Sequence, residues 1–238
     1  MCLIVFAWKL IPGCPLILAA NRDEFYARPS QSADWWQDAP HVYAGRDLQA
    51  GGTWLGINKQ ARFAALTNIR DGSGKSESAP SRGLLVADYL QGELDARAYL
   101  ENLSKNAHQY QGFNLILGDA SNIYWFSNHG SITLQSLEPG IYGVSNAALD
   151  TPWPKLVRAK AQFASLLCQT APDDAYFEML ADTSRPPDHH LPQTGVSLEW
   201  ERLLSSICIA APDYGTRVSS LLRVDDQHGA ALIERLIH

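Results

Sequence analysis

The sequence predicts an α+β fold, in which strands and helices occupy separate stretches of the chain. Continuous apolar runs at 3–8 and 16–20 are typical of strands that are covered on both faces. Strand patterns dominate both ends of the chain, whereas apolar residues at helical spacing lie between them. Because strands and helices are segregated, we do not expect the alternating units of a parallel sheet.

The first third of the chain is predicted to form two pairs of antiparallel strands. Its expected strands lie at 2–8, 15–20, 51–58 and 62–69. Pro12 and Gly13 favour a turn that joins the first two strands into a hairpin. A turn at 58–61 joins the other two strands. The polar stretch 21–30 is expected to follow the second strand directly.

The middle of the chain is predicted to contain a loop, helices and further strands. RDGSGKSESAPS (70–81) is rich in Gly and Ser and predicts a loop. Ser81 is expected to cap a helix that ends near residue 90, and a second helix is expected at 93–104. The strands expected after these helices lie at 113–119, 122–128, 131–137 and 140–146.

The last third begins with helical periodicity and ends with strands. The apolar residues that recur at helical spacing are Leu156, Val157, Phe163, Ala164 and Leu167. The later predicted elements are a helix at 173–182, a Pro-rich loop at 183–195, a short helix from 197, and a hairpin of strands 217–226 and 230–238. No internal repeat and no domain linker is evident, so we expect one domain over 1–238.

The composition excludes several classes of protein. The 238 residues carry a net charge of −6, which argues against nucleic-acid binding because such proteins present a basic surface. No run of about 18 apolar residues occurs, so no transmembrane segment is expected. The four cysteines show no metal-binding spacing, which favours a cytoplasmic protein with reduced thiols.

Cys2 permits two interpretations. In the first, it is a small apolar residue at the start of a strand. In the second, Met1 is removed because the next residue is small, and Cys2 then carries both a thiol and a free α-amine. The amine can take the thiol proton near neutral pH, as in enzymes that use an N-terminal nucleophile.

Polar residues at the ends of predicted strands favour the second interpretation. These residues are Asn21, Arg22, Asp23, Glu24, Asn68 and Asn146. An asparagine N–H can stabilise an oxyanion, an aspartate can hold the α-amine, and an arginine can tune the thiolate. Each residue type also occurs as a turn former or in surface ion pairs. Together with Cys2, the set indicates an acyl-transfer site.

The same residues lie within motifs that resemble the NRDE family, also called the transport and Golgi organisation protein family. The matching segments are Cys2, NRDEFYARP (21–29), GGTWLG (51–56), LTNIRDG (66–72), SNAALDTPWPK (145–155) and YGTR (214–217). The resemblance spans nearly the whole chain. It implies the N-terminal-nucleophile hydrolase fold, a four-layer αββα sandwich.

A more remote resemblance links the segment that ends in LTNIRDG to bile-salt hydrolases and penicillin V acylases. By this resemblance Cys2 matches the nucleophile, Asp23 the aspartate near the free amine, and Asn68 the oxyanion-hole asparagine. Asn146 matches the second asparagine and Arg217 the late arginine. The resemblance implies hydrolysis of a small amide without a cofactor.

One position departs from the acylase pattern. An arginine stands a few residues before the aspartate in those enzymes, whereas alanines occupy that place here and Arg22 is adjacent to Asp23. Adjacent side chains of an extended strand point to opposite faces. If Asp23 faces Cys2, we therefore expect Arg22 to face away, with Arg28 or Arg217 as its substitute.

Two other functions remain open from the sequence. The family resemblance also implies a non-catalytic role in binding haem or acyl lipids in an apolar cleft, with Cys2 or a histidine as an iron ligand. A scaffold that kept the fold without the chemistry is the third possibility. His189 and His190 lie in the Pro-rich loop, where we expect surface exposure rather than a metal site.

Overall fold

The computed structural model describes residues 2–72 and 79–238, which form two antiparallel sheets and the helices that cover them. In chain order the strands are β1 (Cys2–Ile11), β2 (Cys14–Phe25), β3 (Ser30–Trp35), β4 (Val42–Asp47), β5 (Leu55–Asn58), β6 (Phe63–Asn68), β7 (Phe113–Gly118), β8 (Ile123–Ser127), β9 (Thr133–Ser136), β10 (Gly140–Val144), β11 (Tyr214–Asp225) and β12 (Gly229–Leu236). The α-helices are α1 (Gly83–Gln91), α2 (Ala96–Ser104), α3 (Pro154–Cys168), α4 (Asp173–Leu180) and α5 (Leu198–Leu203). Met1 and the centre of the loop predicted at 70–81 lie outside the described residues.

The first sheet has five strands in the order β10-β1-β2-β11-β12. The hairpin of β1 and β2 forms its centre, and the chain reverses there through Gly13, whose positive φ of 77° suits glycine. The last hairpin, β11 and β12, adds to β2 from the other end of the chain. The N- and C-terminal parts of the protein therefore share one sheet.

The second sheet has seven strands in the order of the sequence, from β3 to β9. Each strand pairs antiparallel with the next, so every connection joins neighbours. The longest connection, between β6 and β7, carries α1 and α2 across the outer face of this sheet.

Four layers result from the way in which each strand divides its side chains between two faces. In β1, Ile4, Phe6 and Trp8 point into the core between the sheets, whereas Leu3 and Val5 pack against the helix layer of α3 and α4. The outer face of the second sheet packs against α1 and α2. The predicted αββα sandwich is therefore confirmed.

The central strands are longer than the sequence predicts. β2 was expected to end at residue 20 but continues to Phe25, so the polar stretch NRDE lies within the strand rather than after it. The reason is the ladder with β11, which pairs with β2 through Tyr214 and Phe25. A distant strand supplies the hydrogen bonds that these polar residues do not specify locally.

Helix starts differ from the sequence prediction at two places. α1 begins at Gly83 with Arg82 at the N-cap, and no side-chain cap hydrogen bond forms there, so Ser81 is not the cap residue. α2 begins at Ala96, where the Asp95 carboxylate accepts a hydrogen bond from the backbone N–H of Ala98. None of the helices in the described residues is long and apolar enough to cross a membrane.

Candidate active site

Cys2 and Arg22 lie opposite each other on neighbouring strands. The register of β1 and β2 pairs the two residues, and directly opposed residues of an antiparallel pair project from the same face. That face looks toward the second sheet, because Ile4 and Ala20, two positions along each strand, belong to the core between the sheets. The thiol and the guanidinium therefore meet at the end of the gap between the sheets.

The Asp23 side chain projects from the other face of β2, toward the helix layer. Its Oδ1 accepts a 2.7 Å hydrogen bond from the hydroxyl of Thr216, and the residue is 1% exposed. Burial raises the pKa of the carboxyl, and the Lys155 ammonium and the Thr216 hydroxyl oppose this shift. The two side chains point to opposite faces, as the alternation of an extended strand predicts, but it is Arg22 and not Asp23 that shares the face of Cys2.

Asp23 nevertheless contacts Cys2 through its backbone. Burial raises the pKa of the Cys2 thiol, whereas the Arg22 charge and the backbone N–H of Asp23 lower it. Asp23 thus acts on the thiol through its backbone, while its carboxylate is buried on the other face of β2.

Arg22 is a buried cation whose guanidinium contacts an aromatic ring, a hydroxyl and a carboxylate. Its guanidinium lies over the indole of Trp54, 4.1 Å from the ring centroid. Its Nη1 donates to the Ser30 hydroxyl at 3.4 Å, and its Nη2 lies 3.9 Å from the carboxylate of Asp47. Burial lowers the pKa of this guanidinium and the Cys2 thiolate raises it, so the two groups stabilise each other's charged forms.

A cavity of about 730 Å³ adjoins Cys2 and is lined by residues from both sheets. Asn68, at the end of β6, lines the same cavity as Cys2 and Arg22. Within residues 2–72 and 79–238, no protein group holds the Asn68 side-chain amide, so its N–H groups are available to a ligand. The structure thus brings four of the predicted site residues to one cavity: Cys2, Arg22, Asp23 and Asn68.

Asn146 lies behind Asn68 and is completely buried. Its side-chain Nδ2 donates to the backbone carbonyl of Asn68 at 2.8 Å, and its own carbonyl accepts from the backbone N–H of Arg70. Asn146 therefore fixes the end of β6 from the side of β10. Its predicted role as a second oxyanion donor stays a prediction.

Arg217 lies at a bulge in β11, between the pairs that Thr216 and Val218 form with β2. Its guanidinium donates to the carbonyls of Phe25 and Arg28, so it braces the turn that follows β2. The predicted catalytic role of Arg217 stays a prediction.

Arg28, the other candidate substitute, lines the cavity and forms a 2.7 Å ion pair with Asp47. The cation that stands at the thiol is neither of the two substitutes but Arg22.

Sequence reasoning missed several residues at the cavity. Arg82 lines it from the N-cap of α1, and its charge interacts with Cys2, although burial has the larger effect and lowers the pKa of the guanidinium. Tyr214 and Trp200 form an aromatic wall, with ring centroids 5.6 Å apart. Tyr214 lies in the YGTR motif and could have been found there, whereas Arg82 carries no local signal.

A group of buried charges lies in the helix layer behind the site. Arg70 and Glu201 form an ion pair at 3.1 Å, and both side chains are buried. Lys155, in the first turn of α3, is 2% exposed. Burial lowers its pKa to about 8, and the Asp23 charge opposes this shift. The charge of Asp23 acts more strongly on Lys155 than the charge of Glu201 does.

Cofactor binding has few candidate ligands at this site. No group of three or more His, Cys, Asp or Glu side chains in the described part of the chain could hold a metal ion. His189 and His190 are exposed, and their rings pack against each other with centroids 4.1 Å apart. Cys2 is the cavity residue that could ligate haem iron as a thiolate, since no histidine is among the described residues of the cavity wall.

Comparison with solved structures shows the fold. The chain is similar to the Caenorhabditis elegans N-acylethanolamine-hydrolyzing acid amidase ortholog, with a TM-score of 0.59, 10% identity and 92% of each chain covered. It is also similar to the C2A mutant of the conjugated bile acid hydrolase from Clostridium perfringens, with a TM-score of 0.54 and 7% identity over 100% of this chain and 92% of that one. The fold is therefore that of the N-terminal-nucleophile hydrolases.

Comparison of sequences shows the family. Residues 1–238 match the family model described as Transport and Golgi organisation 2. The Transport and Golgi organization protein 2 homologs of Bos taurus and Homo sapiens are each 36% identical over 256 residues, which cover 99% of this chain and 92% of theirs. The Drosophila melanogaster protein is 34% identical over 264 residues, covering 98% and 91%. The chain belongs to the Transport and Golgi organisation 2 family.

Proposed function

We propose that the protein is an amidohydrolase that uses Cys2 as an N-terminal nucleophile after removal of Met1. The observation that carries this proposal is the meeting of Cys2, Arg22 and Asn68 at one cavity. A thiol, a cation beside it and an amide donor available to a ligand are the groups that acyl transfer needs. The substrate class is a small amide.

The α-amine of Cys2 is the proposed base. Removal of Met1 would turn the backbone nitrogen of Cys2 into a free α-amine at the first residue of β1, where Cys2 pairs with Arg22. The neutral amine takes the proton from Sγ, and the thiolate attacks the carbonyl carbon of the amide. The N–H groups of Asn68 stabilise the oxyanion, because they lie at the cavity and have no protein partner among the described residues.

The intermediate then collapses with transfer of one proton. The C–N bond breaks, and the leaving amine takes the proton that the α-ammonium holds. Water attacks the resulting thioester, gives a proton to the α-amine, and releases the carboxylic acid as the Cys2 thiol forms again. Arg22 favours the thiolate at each step through its charge.

The similar structures support the choice of reaction. Their names describe hydrolysis of N-acylethanolamines and of conjugated bile acids, and the bile acid hydrolase was solved as a mutant in which a cysteine at position two is replaced by alanine. The identities of 10% and 7% show a shared fold alone. Amide hydrolysis by this chain is therefore a proposal, and the shared fold supports it.

Two measurements test the proposal. Intact-mass analysis of the protein from its native host should give a mass lower by one methionine residue. Hexanoyl p-nitroanilide should release p-nitroaniline in a burst and leave a hexanoyl adduct on the Cys2 peptide. Cys2→Ala should abolish the adduct, whereas Cys168→Ala, at an exposed cysteine, should not. Complete retention of Met1 in the native host would overturn the proposal.

A second candidate function is binding without turnover, of haem or an acyl lipid. The aromatic wall of the cavity favours it, because Trp54, Trp200 and Tyr214 offer flat apolar surface. Cys2 would be the iron ligand among the cavity residues. Titration with haemin tests this candidate: a saturable Soret shift that Cys2→Ala weakens supports it, and the absence of a shift excludes haem.

A further inference from the structure

The indole of Trp54 packs on the guanidinium of Arg22. The guanidinium carbon lies 4.1 Å from the centroid of the indole ring, and both residues are largely buried, at 6% and 9% exposure. A guanidinium stacked on an indole is held by electrostatic attraction and by contact area, and exclusion of water strengthens the attraction. The proposed reaction does not use Trp54, although this residue forms part of the cavity wall.

The polar contacts of Arg22 are weaker than this stack. The hydrogen bond to the Ser30 hydroxyl is long at 3.4 Å, and the Asp47 carboxylate is 3.9 Å away. Asp47 is mainly engaged elsewhere, since it accepts from Arg28 at 2.7 Å and from two backbone N–H groups of its own loop. The contact with the Trp54 indole therefore restrains the guanidinium more than these two long polar contacts do.

Trp54 is itself held from behind. Its backbone carbonyl accepts from the N–H of Leu66 on β6 at 2.9 Å, which ties it to the second sheet. The outer edge of its indole rests on Gly45 of β4, where a Cβ atom would overlap the ring. The indole therefore has a defined seat on the second sheet, while Arg22 projects from the first.

We propose that Trp54 is a positioning residue that holds the Arg22 guanidinium beside Cys2. The proposal rests on the proposed role of Cys2 as the nucleophile. Trp54 lies on the second sheet, whereas Arg22 and Cys2 both lie on the first sheet. The position of the guanidinium beside the thiol therefore depends on how the two sheets pack together. Without the indole, Arg22 is free to turn toward Asp47 and away from Cys2.

The pH dependence of Cys2 alkylation measures this effect without requiring turnover. Iodoacetamide labelling of the full chain, resolved by peptide mass spectrometry, separates Cys2 from the three other cysteines. Because an opposite charge close to a titrating group shifts its pKa by one or more units, Trp54→Leu should raise the alkylation midpoint by about one pH unit. Trp54→Phe keeps an aromatic face and should raise the midpoint less.

Gly45→Ala provides an independent route to the same result. The new methyl group displaces the indole while Trp54, Arg22 and Cys2 stay unchanged, so the midpoint should again rise. Trp36→Leu is the matched control, because Trp36 stacks on Arg46 at 4.2 Å elsewhere in the second sheet. This control loses a similar stack and should leave the Cys2 midpoint unchanged.

The double variant Trp54→Leu/Arg22→Gln decides the mechanism. If Trp54 acts through Arg22, the double variant should show the midpoint of Arg22→Gln alone. An unchanged midpoint in Trp54→Leu, an unchanged midpoint in Arg22→Gln, or an equal shift from Trp54→Leu in both backgrounds would each overturn the proposal. If Trp54→Leu does not fold, Trp54→Phe and Gly45→Ala decide. If Trp54→Leu raises the Cys2 alkylation midpoint as expected but the wild type forms no acyl adduct on Cys2, the result counts against the hydrolase proposal and not against the positioning role of Trp54.

Discussion

Cys2 and Arg22 are cross-strand partners on the face of the first sheet that looks toward the second sheet. Their pairing places a buried cation beside the thiol, and the neighbouring residue, Asp23, is turned into the helix layer. The arginine that lies beside the thiol thus comes from within the NRDE motif.

Arg22 lowers the pKa of the Cys2 thiol through its positive charge, and replacing Arg22 by lysine should reduce this lowering without abolishing it. Lysine keeps the positive charge but loses the planar group that stacks on Trp54. We expect the Cys2 alkylation midpoint to lie between those of the wild type and Arg22→Gln. The rate at a fixed pH below the midpoint falls about tenfold for each unit that the pKa rises. A midpoint equal to that of Arg22→Gln would show that charge alone has no effect here.

Replacing Asn68 should mainly change the reaction rate, whereas replacing Asn146 should mainly change the stability. Asn68→Ala removes an amide that has no partner in the described residues, so the free energy of unfolding should change by less than about 0.5 kcal/mol. The rate of acyl-adduct formation should fall by about 10²-fold or more if the amide stabilises the oxyanion. An unchanged rate in Asn68→Ala would argue against that role.

The corresponding change at the second asparagine should act mainly on stability. Asn146→Ala breaks the 2.8 Å hydrogen bond to the Asn68 carbonyl inside the protein, which should cost about 1–3 kcal/mol. Urea denaturation measures this cost. A loss smaller than that of Asn68→Ala would contradict the assignment of Asn146 as a structural residue.

Lys155 should make stability rise with pH above about 8. Its pKa is lowered by burial to about 8, whereas the ordinary value is 10.5. Between these values the unfolded chain binds a proton that the native protein has lost, so the free energy of unfolding increases with pH. The free energy of unfolding of the wild type minus that of Lys155→Met should therefore become more positive from pH 7.5 to 9.5.

The exposed Lys105 offers a control for this measurement, because Lys105→Met removes one ammonium from the surface instead of the interior. Denaturant titrations at each pH give the free energies. A constant difference between wild type and Lys155→Met over this range would show that the native pKa of Lys155 is not lowered.

The ion pair of Arg70 and Glu201 should be strongly coupled. Arg70→Met leaves the Glu201 carboxylate buried without its cation, which should cost about 3–5 kcal/mol. Glu201 also accepts two hydrogen bonds from Thr194, and these remain in the variant. The double variant Arg70→Met/Glu201→Gln should lose less than the sum of the single losses, as urea denaturation can show. Additive losses would argue against a direct pair.

The sequence predicted the local elements well because their signals are local. The apolar runs of β1 and β2 and the Pro12-Gly13 turn specify a hairpin, and the hairpin is present. The end of β2 was misplaced by five residues, at 20 instead of Phe25. Its last residues pair with β11, which lies nearly 200 positions away in the sequence. The pattern of apolar residues near position 21 therefore does not predict that pairing.

The faces of the site residues could not be predicted in the same way. Adjacent strand residues alternate, so the sequence required Arg22 and Asp23 to point apart. Which of the two shares a face with Cys2 depends on the pairing of β1 with β2, and a shift of one residue would exchange them. Arg82 and Lys155 reach the site from helices, through packing that no local pattern encodes.

The sequence alone determined the α+β class, and through the family resemblance the αββα sandwich and the segments that build the site. It also determined which residue types are available there: a thiol at position two, an arginine beside an aspartate, and asparagines near strand ends. Only the tertiary structure decided that Arg22 stands at the thiol while Asp23 is buried behind it. The physical reason is that strand register and sheet packing are set by contacts between distant residues, and a side chain's face follows from them.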